Sequence, residues 1–332
     1  MEETDQRQTS VRRQLDASRP HAISVKSLHK SYAQTHAVDD VSFDVERGEV
    51  FALLGPNGAG KTTTIEILEG FRTRDRGRVD VLGYDPADRA TSRQLRERLG
   101  VVLQELAVEP FLSVRQALTR NAGYYPRPRR VDEVLELVGL DTKANARVKT
   151  LSGGQQRRLD LGLGIIGNPE LLVLDEPTTG FDPTARRGAW DLIRAMTGGG
   201  STVILTTHYM DEAEALADRV AVISAGAIIA QGTPDSLGGR DVGEATIRFR
   251  LPSGTGVGDL PVPATVSGNG ALEIRTDHEI EVLARLTSWA LRDNVDLIGL
   301  TVERSTLEDV YLRLTGYGTE AEASSVTDGV EG

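Results

Sequence analysis

Hydrophobic and polar residues alternate in the first part of the chain and give way later to continuous apolar runs. The alternation covers Ile23 to Tyr32 and Ala37 to Val45, which is typical of paired strands. Val50 to Leu54 is apolar throughout, as expected of a strand buried on both faces. Later apolar runs, separated by helical patterns, are Leu171 to Leu174, Thr202 to Leu205 and Val220 to Ile223. The pattern predicts an α/β fold in which antiparallel strands precede a parallel sheet flanked by helices.

Changes in composition divide the chain into a large domain and a small one. We expect a loose tail at residues 1–20 and a main domain at residues 21–240, with a mainly helical subdomain at about 105–167. Strand-like runs around one helical pattern predict a small α+β domain at residues 241–317. The acidic end, residues 318–332, is expected to be disordered.

The small domain contains a helical pattern from Glu279 to Asp293. Its apolar positions are Ile280, Leu283, Leu286, Trp289 and Ala290. We expect this face to pack on the domain's own sheet rather than to bind a ligand. A regulatory or dimer-stabilising role is our hypothesis for the domain.

Composition and charge exclude several classes of protein. The 332 residues include 38 Lys and Arg against 49 Asp and Glu, a net charge of -11, so no nucleic-acid partner is expected. The absence of cysteine rules out a disulfide framework and favours a reducing cytoplasm. The best apolar run, Val220 to Ala230, is too short to cross a membrane.

A glycine-rich loop follows the run Val50 to Leu54 and opens onto a helical pattern. It reads Gly-Pro-Asn-Gly-Ala-Gly-Lys-Thr-Thr from Gly55 to Thr63. Such glycines let backbone N–H groups converge on phosphate oxygens beside a helix N-terminus. Lys61 is expected to reach the β- and γ-phosphates, and the Thr62 hydroxyl to bind Mg²⁺. The predicted nucleotide-binding residues of the loop are Gly55, Asn57, Gly58, Gly60, Lys61, Thr62 and Thr63.

Two carboxylates, Asp175 and Glu176, end the apolar strand Leu171 to Leu174. Open α/β sheets bind ligands at the carboxyl ends of their strands, so we expect both side chains at the ligand edge. Asp175 can hold Mg²⁺ directly or through water. Glu176 can act as the general base that activates the water attacking the γ-phosphate.

A second phosphate-binding end is predicted at Leu-Ser-Gly-Gly-Gln, residues 151–155, just before another helical pattern. Ser152, Gly153 and Gly154 fall where backbone donors at a helix N-terminus face an anion. Alone, such a motif is an ordinary cap or linker. Its meaning comes from its place between the phosphate loop and the Asp-Glu strand.

A phosphate loop, then Leu-Ser-Gly-Gly-Gln, then an apolar strand ending in Asp-Glu, resembles the ATP-binding cassette (ABC) family of ATPases over about residues 23–237. The resemblance implies ATP and Mg²⁺ as cofactors and a head-to-tail homodimer with composite ATP sites. In that dimer Ser152 and Gly154 of one subunit contact the γ-phosphate that Lys61 of the other holds. Gly153 and Gln155 belong to the same nucleotide-binding motif.

The resemblance assigns further site residues. Gln104 matches the family glutamine that contacts Mg²⁺ or the attacking water and begins the segment touching the transport partner. Asp182 matches the loop that communicates across the dimer. His208 matches the switch histidine that reaches the γ-phosphate and orders Glu176. Tyr32 lies at about the family's distance upstream of the loop and is expected to stack on adenine.

Thr207 to Glu214 and Thr306 to Gly316 resemble the daunorubicin-resistance branch of the family. That branch pairs with separate integral membrane permeases of the ABC-2 type and usually exports. The resemblance therefore implies the ATPase of an exporter for a drug-like or other small amphipathic molecule. It also implies a cytoplasmic subunit held on the inner face of the cell membrane by its permease.

Two other function classes stay open. One is a soluble ABC ATPase acting on ribosomes or DNA. Ribosome-acting members usually carry two cassettes, and DNA-repair members carry zinc cysteines or long coiled coils, none of which occurs in this sequence. The other is a module that binds ATP without hydrolysing it, against which Glu176 and His208 argue.

Overall fold

The computed structural model describes residues 21–102, 108–237, 245–252, 256–267, 270–304 and 306–315. Within them the chain divides between Pro234 and Asp235 into two compact units, each with its own core. The predicted tails, residues 1–20 and 318–332, and the predicted site residue Gln104 lie outside the described residues.

The first unit contains an antiparallel sheet and a larger, mainly parallel one. The strands described in it are β1 (His21–Tyr32), β2 (Thr35–Glu46), β3 (Val50–Leu54), β4 (Arg76–Val81), β5 (Leu99–Val102), β6 (Leu171–Asp175), β7 (Thr202–Thr207), β8 (Arg219–Ser224) and β9 (Ala227–Gly232). The antiparallel sheet has the order β2-β1-β4, and the larger sheet has the order β5-β6-β7-β3-β8-β9. The predicted α/β architecture with both kinds of sheet is confirmed.

Helices connect these strands. Those described are α1 (Lys61–Leu68), α2 (Ser92–Arg96), α3 (Val114–Ala122), α4 (Val131–Leu137), α5 (Gly153–Ile165), α6 (Pro183–Gly198) and α7 (Met210–Leu216). Helices α3 to α5 pack through apolar residues such as Leu118 and Val134, both fully buried. They form the predicted helical subdomain, a helical insertion between β5 and β6. Pro126 lies in the break between α3 and α4, as is common for a residue that cannot continue a helix.

The parallel strands bring distant parts of the sequence to one edge. Strands β3, β6 and β7 are buried at every position, as expected of strands covered on both faces. They are parallel neighbours, with Leu53 opposite Thr206 and Leu174 opposite Leu205. Because parallel strands end at a common edge, the phosphate loop, the two carboxylates and His208 all emerge there.

Strand β9 was not predicted from the sequence. It runs antiparallel to β8, joined by Ala225 and Gly226, whose φ angles are 48° and 82°. Two successive positive φ angles are typical of a two-residue hairpin turn. The apolar run Val220 to Ala230 is therefore a hairpin. Among the described residues, no helix is long and apolar enough to cross a membrane.

The second unit is a four-stranded antiparallel sheet packed against a long helix. Its elements are β10 (Ala245–Arg250), β11 (Thr265–Val266), β12 (Leu272–Thr276), α8 (Glu279–Asp293), β13 (Ile298–Arg304) and α9 (Leu307–Thr315), with the sheet order β11-β12-β10-β13. Leu286 and Trp289 of α8 are buried in its core, as predicted. The prediction is wrong at Ile280, which is 80% exposed because the apolar cluster begins one turn further along the helix.

Candidate active site

The glycine-rich segment forms a tight loop between β3 and α1. Gly60 precedes the helix with φ of +105°, and a Cβ there would stand 2.3 Å from the carbonyl oxygen of Ala37. Gly58 has φ of +80°, but a Cβ there would meet nothing within 4 Å. Because Gly60 has no side chain, the loop can pack closely on β2. Asn57 and Gly58 are exposed, so the surface there is open to a ligand.

Lys61 points back into the loop. Its Nζ donates to the carbonyl oxygens of Gly55 at 2.7 Å and Pro56 at 3.1 Å, and it lies 3.8 Å from Glu176 Oε1. Burial lowers the pKa of Lys61, and the charges of Glu176 and Asp175 oppose that shift. The loop therefore holds a buried ammonium group at its centre, beside both predicted carboxylates.

Asp175 and Thr62 place two oxygen atoms close together. Thr62 Oγ1 donates to Asp175 Oδ2 at 3.4 Å, and the Thr206 hydroxyl donates to the other oxygen of Asp175. A hydroxyl and a carboxylate are the ligands that Mg²⁺ takes beside nucleotide phosphates. Within the described residues, no group of three or more His, Cys, Asp or Glu could hold a metal ion alone. The donor set fits an ion shared with phosphates.

Glu176 adopts an uncommon backbone conformation at the end of β6. Its φ is 49°, and its N–H donates to both the carbonyl oxygen and the hydroxyl of Thr206, at 3.2 and 3.1 Å. Thr179 Oγ1 donates to Glu176 Oε2 at 3.2 Å. His208 Nδ1 lies 3.3 Å from Glu176 Oε1, but the two atoms are not aligned as a hydrogen bond. The site therefore brings Lys61, Asp175, Glu176 and His208 together.

The first turn of α5 is separate from this cluster. Ser152 Oγ accepts from the Gln155 N–H, and Gln155 Oε1 accepts from the Ser152 N–H, which makes a capping box. A Cβ on Gly153 or Gly154 would meet nothing within 4 Å. Among the described residues, no hydrogen bond or ion pair connects the side chains of this turn with Lys61. The turn presents an open surface.

Two other predicted residues have local partners. Asp182 caps α6, with its Oδ1 accepting from the N–H groups of Thr184 and Ala185 at 2.9 Å. Tyr32 is 38% exposed, and its ring centroid lies 5.1 Å from Arg72 Cζ and 5.5 Å from Lys30 Nζ. The nucleotide-binding roles of both residues stay predictions, as do those of Thr63 and the other loop residues.

Sequence reasoning missed several buried charged side chains near the site. Arg157 of α5 contacts the backbone at Glu176. Glu212 of α7 is fully buried and accepts from Trp190 Nε1 at 3.3 Å. Burial raises the pKa of Glu212, and hydrogen bonds from nearby groups oppose the shift. Each lies in an ordinary helical pattern, so only packing distinguishes it from a solvated charge.

Glu69, at the end of α1, was also missed, and it makes stability depend on pH. It is 5% exposed, and neither carboxylate oxygen has a hydrogen-bond partner among the described residues. Burial raises its pKa from 4.5 to about 8, and the charges of Asp175 and Glu66 add to the shift. Between these values the folded protein keeps a proton that the unfolded chain releases.

The free energy of unfolding therefore falls as the pH rises, through Glu69, by about 1.4 kcal/mol per pH unit between about pH 5 and pH 7. We expect Glu69→Gln to remove this contribution. Denaturant unfolding of both proteins across that range measures the difference in slope. Glu133→Gln, at an exposed position, is the control and should keep the wild-type slope. Parallel curves for Glu69→Gln and the wild type would contradict the assignment.

Comparison with known proteins agrees with this geometry. The family model described as ABC transporter matches residues 38–179, and the model described as ABC transporter domain-containing protein-like, C-terminal domain, matches residues 245–306. A solved ATP-binding subunit of an ABC transporter is 28% identical, with a TM-score of 0.60 over 65% of this chain and 91% of that one. CbiO1 from Clostridium perfringens, part of the ABC transporter complex cbiONQ, is 31% identical, with a TM-score of 0.61 over 66% of this chain and 90% of that one.

Curated relatives match nearly the whole chain. The daunorubicin resistance ATP-binding protein DrrA3 of Streptomyces coeruleorubidus is 37% identical over 89% of this chain and 96% of that protein. A Nod factor export ATP-binding protein I of Bradyrhizobium diazoefficiens is 41% identical over the same shares. The linearmycin resistance ATP-binding protein LnrL of Bacillus subtilis is 34% identical over 89% and 98%. The chain therefore belongs to the ATP-binding cassette transporter family, as an ATP-binding and ATP-hydrolysing subunit resembling the daunorubicin-resistance branch.

Proposed function

We propose that this protein drives an exporter by closing and reopening a head-to-tail homodimer on ATP. One observation carries the proposal: Lys61, Asp175, Glu176 and His208 converge at one sheet edge, whereas the first turn of α5 presents an open surface elsewhere. Each composite site is then complete only when a second copy of the chain brings its own Ser152 to the nucleotide.

The residues at the sheet edge have separate tasks. Lys61 turns from the loop carbonyls to the β- and γ-phosphates, and the loop N–H groups orient the phosphate chain. Thr62 and Asp175, with Gln104, would hold Mg²⁺, which would offset phosphate charge when bound. Glu176 takes the proton of the attacking water as general base.

His208 supports this step from the next strand. Its ring stands 3.3 Å from the Glu176 carboxylate, so it can orient that group and reach the γ-phosphate. Tyr32 supplies an exposed ring for adenine. Asp182, which caps α6, communicates the nucleotide state of one composite site to the other. Hydrolysis then weakens the interface between the two ATP-bound subunits and lets the dimer open.

The proposal of a membrane permease partner is supported by a cleft in the helical insertion. It encloses about 280 Å³ and is lined by apolar and charged side chains, including Leu112, Arg120, Tyr124 and Asp160. Tyr124 is 67% exposed, and Phe111, next to Leu112, is 62% exposed. We assign this cleft to an ABC-2 type permease, which would hold the subunit on the cytoplasmic face of the membrane.

The names of the relatives guide the substrate class. Two of those proteins are named for resistance to daunorubicin or linearmycin, and one is named for the export of Nod factor. We propose export of a drug-like or other small amphipathic molecule, with specificity residing mainly in the permease. None of these relatives supports action on ribosomes or DNA. We assign residues 21–240 to the cassette and residues 241–317 to an accessory domain with a regulatory or dimer-stabilising role.

Affinity isolation tests the permease assignment. Tagged Glu176→Gln protein, isolated with ATP from detergent-solubilised cells, should recover a multi-helix integral membrane protein, identified by mass spectrometry. The additional change Leu112→Arg should lower that recovery because it places a charge in the cleft. Leu137→Arg is the matched control, since Leu137 is 38% exposed but does not line the cleft. Recovery of ribosomal or DNA-repair proteins without a membrane protein would overturn the exporter proposal.

A further inference from the structure

Arg157 joins the helix that begins at Ser152 to the backbone around the general base. Its guanidinium donates from Nε to the carbonyl oxygen of Pro177 at 2.9 Å and from Nη2 to that of Glu176 at 3.0 Å. A longer contact, 3.4 Å, reaches the carbonyl oxygen of Asp175. One side chain therefore spans three consecutive peptide groups at the end of β6.

The guanidinium is fixed from its other side. Arg157 Nη1 donates to Asp160 Oδ2 at 2.7 Å, and the two side chains are only 10% and 11% exposed. Burial raises the pKa of Asp160 to about 6, and the charge of Arg157 opposes that shift. A planar guanidinium with several N–H groups in a rigid fork can serve a carboxylate and carbonyl oxygens together, whereas an ammonium group cannot reproduce the fork.

The backbone that Arg157 contacts is strained. Glu176 has φ of 49°, a left-handed conformation that costs about 1 kcal/mol or more for a residue with a side chain. Such a conformation persists only where its surroundings impose it. Thr206 binds the N–H of Glu176, and Arg157 binds its carbonyl oxygen. The peptide groups on both sides of the residue are therefore held, and with them the direction of its carboxylate.

We propose that Arg157 is a positioning residue for ATP hydrolysis: it holds the backbone of Glu176 in the conformation that aims the carboxylate, and it ties that backbone to the helix carrying Ser152. The proposal rests on the role of Glu176 as general base. Since Ser152 and Arg157 lie on successive turns of α5, a displacement of the first turn reaches the base through a short, rigid path.

Arg157→Met combined with Asp160→Asn tests the proposal. The pair removes the donors without leaving a buried, unpaired carboxylate, which would be the larger cost to folding. We expect single-turnover hydrolysis by the full-length protein to slow by about 10- to 100-fold, since small misplacements of a reacting group have effects of this size. The dissociation constant for ATP should change by less than about 3-fold, because no loop contact is altered. Arg157→Lys should restore only part of the rate.

A matched control lies at the opposite edge of the sheet. Arg98 also pairs with a carboxylate, Glu170 at 2.7 Å, and donates to a carbonyl oxygen, that of Leu82 at 3.1 Å. Arg98→Met combined with Glu170→Gln should leave the rate of hydrolysis unchanged. An equal loss of hydrolysis rate in this control would mean that general destabilisation slows hydrolysis. A loss of ATP affinity in the Arg157 variant would have the same meaning. Either result would overturn the proposal.

A double-mutant cycle separates positioning from an independent structural role. When Glu176→Gln has already removed the base, the Arg157 and Asp160 changes should slow residual hydrolysis by less than about 2-fold. An undiminished 10- to 100-fold effect in that background would show that Arg157 does not act through Glu176. If Glu176→Gln alone left hydrolysis unchanged, the assignment of the base would fail, an outcome distinct from a failure of the Arg157 proposal.

Discussion

Replacing Glu176 with glutamine should nearly abolish ATP turnover while leaving ATP binding intact. The amide keeps the shape of the side chain but cannot accept a proton from the attacking water, and loss of a general base costs about 10²- to 10⁴-fold. Lys61 and the loop are untouched, so nucleotide still binds. The variant should therefore accumulate as an ATP-bound dimer.

Phosphate release gives the turnover of this variant, and size-exclusion chromatography with ATP gives its oligomeric state. Glu170→Gln is the matched control, because Glu170 directly precedes the first residue of the same strand, at the opposite edge of the sheet. The control should hydrolyse ATP at the wild-type rate and elute without a trapped dimer. Undiminished steady-state hydrolysis by Glu176→Gln would refute its assignment as the base.

Lys61→Ala should weaken ATP binding itself. The change removes a charge that is expected to make hydrogen bonds to the β- and γ-phosphates, each worth about 1.5–3 kcal/mol. It also removes the cation that stands 3.8 Å from Glu176, so phosphate would approach that carboxylate without its nearest positive charge. We expect the dissociation constant for ATP to rise by about 100-fold or more.

Calorimetric titration of ATP into wild-type and Lys61→Ala protein measures this loss. Lys26→Ala serves as the control because Lys26 is exposed on β1, and it should bind ATP as the wild type does. Thermal unfolding of all three proteins checks that the folds are equivalent. An unchanged ATP affinity in the Lys61 variant would mean that the phosphate loop is misassigned.

Much of the fold could be predicted from the sequence because the features that indicate it lie within a few consecutive residues. The loop after β3 carries glycines where φ is positive, and the capping box at Ser152 lies in one helical turn. Each feature needs only a few consecutive residues and their own backbone geometry. The same holds for the carboxylates that end β6. At Ile280 the prediction was wrong, because the extent of the buried helix face depends on which residues the sheet of the same domain covers. Strand β9, which follows β8 through a two-residue turn, was not predicted.

Backbone preference and hydrophobic period act over neighbouring positions, so the amino-acid sequence was enough to place the phosphate loop, the first turn of α5 and most of the strands of the first unit. Which of these segments come into contact depends on the folding of the whole unit. The register of β3, β6 and β7 brings Lys61 to Glu176 and His208. Burial raises the pKa values of Glu69 and Asp160. Packing places Arg157 where it donates a hydrogen bond to the carbonyl oxygen of Glu176. Desolvation and close contact depend on residues far away in sequence, so no local pattern could contain them.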